Sequence, residues 1–159
     1  MLFICQVGLA QGAGNAGYVV NVIEETVCNL GIGVTGWYRE VSLKNNEWKL
    51  ECLLALPQNP DIDDSRPNVV KVKIDGKLIN LKKVAGNPKL TAVESKKWHS
   101  VDSYTSQDGG VKVKIYSKLE YDSCEEVVET CCGQQYIGSL EIATPQGKKT
   151  FKVKQSTGS

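Results

Sequence analysis

One histidine, six cysteines and a few clustered acids are the residues of this chain whose chemistry reaches beyond packing. His99 is the sole candidate base for a Ser–His or Cys–His site. Its neighbours Trp98 and Ser100 form no nucleophile signature, and no serine sits in a G-x-S-x-G elbow. A histidine with a structural role in a strand is therefore expected. Cys124, Cys131 and Cys132 invite comparison with zinc sites, which take Cys pairs roughly two to four residues apart. Adjacent residues on a helix point about 100° apart, so Cys131 and Cys132 do not suit one metal. Cys5, Cys28 and Cys52 complete the set, and all six are expected to be free thiols acting as small hydrophobes.

The acids give one partial pattern. Asn59, Asp61, Asp63 and Ser65 alternate like the first half of a calcium loop, with Asp64 where the turn glycine belongs and Val70 where the closing Glu belongs. Asp61, Asp63 and Asp64 are thus expected in a solvated acidic loop that meets a partner. Glu24-Glu25 and Glu125-Glu126 are the pairs to consider for carboxylate-dependent hydrolysis. Gly12, Gly14 and Gly17 spell a G-x-G-x-x-G string. A dinucleotide site needs a strand before it, a helix from Tyr18 onward and an acid about 20 residues later. Glu40 is the nearest acid and lies in a stretch patterned as an antiparallel hairpin. The string is read instead as a flexible arm, residues 1–17, able to order against a neighbour. No cofactor and no metal are expected.

Composition narrows the classes further. The 159 residues carry a net charge of +1, with 41% hydrophobic and 23% charged residues, near globular averages. Of nineteen basic residues only Arg39 and Arg66 are arginine, leaving 17 lysines. Phosphate and base-edge recognition favours the bidentate guanidinium, so nucleic acid is not an expected partner. No apolar run approaches the roughly 18 residues of a membrane span. Leu2–Cys5 is broken at Gln6 and follows no basic residue, unlike a secretory signal with its apolar stretch of roughly 7–15 residues. Intracellular synthesis follows as the expectation.

The elements that must position these residues are strands. Val69–Lys83 alternates strictly around Asp75-Gly76, a favoured two-residue hairpin turn. That turn pairs Ile74 with Lys77, Val72 with Ile79 and Val70 with Leu81, and puts Val70, Val72, Ile79 and Leu81 on one face. Val111–Leu119 turns Val113 and Ile115 to one face and its lysines with Tyr116 to the other, with His99–Thr105 as its partner. Tyr136–Ala143 and Lys149–Lys154 flank a Thr-Pro-Gln-Gly turn. Gly36–Leu43 and Glu47–Ala55 flank Lys44-Asn45-Asn46, with Trp48, Leu50, Cys52 and Leu54 expected on one face. Short helices are expected at Cys124–Cys132, behind a Ser123–Glu126 capping box, and at Ile23–Leu30, where a strand fits nearly as well. Pro57, Pro60 and Pro67 make 56–68 a loop that could subdivide a domain spanning 18–159.

The expected architecture is a mainly β, antiparallel sandwich or barrel of about eight strands, with one or two short helices and a flexible N-terminal arm. Without a credible active site, the first functional expectation is a non-catalytic structural or assembly protein. A virion component, such as a capsid decoration or tail protein, is an example of such a build. Its partners would be protein, self or a larger assembly, with no nucleic acid and no membrane. The alternative is a protein- or carbohydrate-binding module using exposed aromatics, Trp37, Tyr38, Trp48 and Trp98. A carboxylate-dependent hydrolase comes third.

Overall fold

The computed structural model describes residues 17–28, 36–56, 68–86, 88–122 and 134–157. The alternating segments form β1 (Val20–Asn21), β2 (Gly36–Ser42), β3 (Trp48–Ala55), β4 (Val69–Ile74) and β5 (Lys77–Lys83). They continue as β6 (Ser100–Thr105), β7 (Lys112–Asp122), β8 (Gln134–Thr144) and β9 (Gly147–Thr157). From β2 onward each strand pairs antiparallel with the next, and β9 returns to β2 through Tyr38 and Lys154. The result is an eight-stranded up-and-down barrel, with β1 added beside the far end of β4. Closure of this kind leaves no barrel edge unpaired, and it settles the choice between sandwich and barrel. Strands before and after residues 57–67 belong to this one barrel.

The hairpin at Asp75-Gly76 forms in the register its alternation dictates, Val72 opposite Ile79 and Val70 opposite Leu81. Asp75 and Gly76 both take positive φ, 49° and 80°, as the tight turn requires. Val70, Val72, Leu81, Val113, Leu140 and Ile142 fill the interior, while Lys71, Lys73, Lys112 and Lys114 point outward. All four short connections, β2–β3, β4–β5, β6–β7 and β8–β9, fall at one end, the turn end. Tyr18 plugs that end, its hydroxyl donating to the Ile142 carbonyl at 2.8 Å. The longer connections leave from the opposite, loop end.

One expectation about faces is corrected. Trp48, Leu50, Cys52 and Leu54 do not share a face, because a bulge makes Trp37 pair with Leu54 while Tyr38 pairs with Cys52. Leu53 is the extra residue, and it shifts the alternation by one. Leu53 and Leu54 turn into the barrel, whereas Trp48 and Leu50 stay outside at 67% and 60% exposure.

On the outer side of β3 lies the helical turn α1 (Glu25–Cys28), which starts two residues later than the Ile23–Leu30 expectation, whose last two residues lie outside the described ones. The Ile23 amide donates to the Cys52 carbonyl at 2.9 Å, and Glu24 forms an ion pair with Lys73. This packing brings Cys28 and Cys52 to a Cα separation of 6.5 Å, and they are disulfide-bonded. The free-thiol expectation is therefore corrected for this pair: residues 24 apart in sequence meet because α1 folds back over β3. Closing a loop of that length contributes about 3 kcal/mol. Cys5, Cys124, Cys131 and Cys132, with the Cys124–Cys132 helix, lie outside the described residues, as does all of 1–16. Gly17 is described, and Val20–Asn21 beyond it is strand, so no helix opens at Tyr18.

A second outer layer comes from the β5–β6 connection. Thr91 and Glu94 cap each other reciprocally at the 3-10 turn Glu94–Lys96: the Glu94 amide donates to Thr91 Oγ1 at 3.1 Å and the Thr91 amide to Glu94 Oε1 at 2.9 Å. Trp98 then lies against Tyr116 with ring centres 6.3 Å apart. Burial, helped by the hydrogen bond to Glu94, pushes the Tyr116 phenol up to about 12.

Candidate binding site

The inward register changes character along the barrel axis. On β8 it runs Ile142, Leu140, Gly138, Tyr136 from the turn end to the loop end; on β9 it runs Phe151, Val153, Gln155. On β6 and β7 the inward pairs are Tyr104 with Val113, Asp102 with Ile115 and Ser100 with Ser117. Polar side chains thus gather inside the loop end, around a cavity of about 210 Å³. Trp37, Leu54 and Leu56 form its apolar wall from β2 and the end of β3. Ser100, Asp102 and Ser117 form a polar wall from β6 and β7, which lie across the barrel in the strand order. Tyr136 and Gln155 complete the ring.

Each polar group has a definite setting. The Ser100 and Ser117 hydroxyls are hydrogen-bonded to each other at 2.7 Å. Asp102, only 5% exposed, is ion-paired with Lys83 at 3.6 Å. Gln155 is 3% exposed, and its Nε2 donor has no hydrogen-bond partner among the described residues. A buried donor without an acceptor costs about 1–3 kcal/mol, so this group asks for an acceptor from something that enters the cavity. Gly138 makes the Trp37 position possible: a Cβ there would come within 2.7 Å of the Tyr116 carbonyl and 3.0 Å of the Trp37 ring.

A larger groove, about 660 Å³, lies on the outside between Tyr38 on β2 and Trp98, crossing β9 and β8. Within it Lys154 pairs with Glu40 at 2.7 Å, and that carboxylate holds the ammonium above the usual lysine range. Arg39, in the same lining, also has a buried Nε without an acceptor among the described residues, but its guanidinium is already held by Glu51 at 2.7 Å through Nη2 and lies over the Phe151 ring, whereas the Gln155 amide of the interior has no such hold. The inner cavity is the better site.

The expected contact residues separate accordingly. Trp37 is corrected as an exposed aromatic: it is 5% exposed and lines the inner cavity, because its strand position faces the barrel axis. Trp98 is half-buried and borders the outer groove, while Trp48 is exposed. Gly12, Gly14, Asp61, Asp63 and Asp64 lie outside the described residues. His99 is exposed at the start of β6, away from any described nucleophile pairing, and its amide donates to the Ser117 carbonyl. Among the described residues no three His, Cys, Asp or Glu side chains group as metal ligands, and no helix is long and apolar enough to cross a membrane.

Asp102, Gln155, Ser100 and Ser117 were not marked by any motif. The signal for them is a polar residue at an inward position of an alternating strand. Gln155 continues the inward Phe151–Val153 series, and Asp102 stands opposite the inward Ile115. Known proteins add nothing to this reading: no family model, curated protein or solved structure matches the chain.

Proposed function

We propose that the protein is a non-catalytic binding barrel that takes one small polar molecule into its loop-end interior. An eight-stranded barrel is just wide enough to be filled by side chains or to hold one small ligand, and here the two halves divide those roles. The observation that carries the reading is Gln155, buried beside a cavity of about 210 Å³ with a donor that finds no acceptor among the described residues. A cavity of about 150 Å³ already admits benzene, so this one has room for a substituted ring. The lining supports binding over catalysis: among the described lining residues the one carboxylate, Asp102, is ion-paired, and there is no histidine or second acid to work with it.

The test is a titration of labelled protein with small neutral, charged and apolar molecules, followed through the Gln155 side-chain amide and the Trp37 indole resonances. Saturable shifts at both are expected with at least one class. Resonances that no probe moves would contradict the proposal.

A protein-contact reading keeps one specific support, the apolar outer face of the β2–β3 hairpin carrying Trp48 and Leu50. Self-association measured by light scattering would favour it, with Trp48→Glu restoring the monomer. A monomer at all concentrations would remove self-association through that face.

A further inference from the structure

We infer that the cavity is built for a neutral, sugar-like ring, a single pyranose, furanose or cyclic polyol; this rests on the binding reading above. The argument begins with charge. Asp102 disfavours an anion in a site of low dielectric, and its pairing with Lys83 at 3.6 Å leaves it less to offer a cation. A neutral guest disturbs neither partner.

The distribution of polarity comes next. Six of the ten lining side chains carry hydroxyl, amide or carboxylate groups, too many for a hydrocarbon guest in about 210 Å³. Those groups are not scattered. All six come from the run β6 to β9, with Ser100, Asp102 and Tyr104 on β6, Ser117 on β7, Tyr136 on β8 and Gln155 on β9, while Trp37, Leu54 and Leu56 come from β2 and the end of β3. A guest that satisfies both walls needs a C–H face and a rim of hydroxyls, which is the shape of a sugar ring. Its hydroxyls act in both directions: an oxygen accepts from Gln155 Nε2, and O–H groups donate to the Asp102 carboxylate and the serine oxygens. The guest thereby supplies the acceptor that Gln155 Nε2 does not find among the described residues.

The experiment uses the full chain and measures binding by calorimetry and by the Gln155 and Trp37 resonances. The probes are glucose, galactose, ribose and myo-inositol, against acetate, butylamine and benzene. The expected result is saturable binding of at least one sugar or polyol in preference to the other three. Gln155→Leu should weaken it about tenfold, the loss of one hydrogen bond to a buried donor. Ser100→Ala, which keeps Gln155, should weaken it about threefold and covers the case in which Gln155→Leu does not fold. Binding of acetate, butylamine or benzene at these resonances, without the sugars, overturns the sugar assignment and leaves the binding barrel standing. No response to any probe overturns both.

Discussion

Toward the turn end, the inward positions of the barrel read Val72, Ile74, Val113, Leu140 and Ile142, all buried against one another under Tyr18. Toward the loop end the same register reads Ser100, Asp102, Ser117, Tyr136 and Gln155, around open volume. Strand geometry is the same in both halves, so geometry does not explain the difference. Burial of apolar surface stabilises the first half at about 25 cal/mol per Å². The second half gives that up and leaves a donor unpartnered. A fold selected for stability alone would continue the apolar series to the rim. Where a sequence breaks its own rule inside a barrel, function is the economical explanation.

The comparison can be broken at its strongest point first. Leu140→Ala, at a fully buried turn-half position, should cost about 3 kcal/mol in chemical denaturation. A cost below about 1 kcal/mol would mean that this half is not the packed core. Gly138→Ala strikes the boundary between the halves. Because its Cβ would meet the Tyr116 carbonyl and the Trp37 ring, a loss of about 2 kcal/mol is expected, with the Trp37 fluorescence altered. An unchanged spectrum would show that Trp37 does not rest on Gly138.

The outer wall offers a pH test. Tyr116 ionises near pH 10 when unfolded, but burial and the Glu94 hydrogen bond push it up to about 12 in the folded protein. Its stabilising contribution is complete below pH 10 and is lost as the pH rises toward 12, a decline on the order of 2 kcal/mol. Tyr116→Phe should flatten that decline. An equal decline in both proteins would place the alkaline sensitivity elsewhere.

How much of this was legible depends on the range of the interactions involved. The β4–β5 hairpin was readable to the residue pair, because a two-residue turn and strict alternation fix the register locally. The β2–β3 hairpin was readable as an element but not in its faces, since one bulge at Leu53 reverses the alternation without a glycine or proline to announce it. Barrel closure between Tyr38 and Lys154 spans most of the chain, and the Cys28–Cys52 bond depends on α1 folding over β3. Neither leaves a local mark. The site was the least legible part. Trp37 reads from sequence as an exposed aromatic and lies inside, whereas Asp102 and Gln155 draw meaning only from the strands opposite them.

The most direct measurement of the central claim is the unfolding free energy of ligand-free Gln155→Leu beside that of the unaltered chain. If Gln155 serves a guest and finds no acceptor among the described residues, removing its buried donor and adding apolar surface should raise stability by about 1 kcal/mol. A fall of 1 kcal/mol or more would show that Gln155 belongs to a satisfied structural network, and the division of the barrel into a core half and a binding half would be wrong.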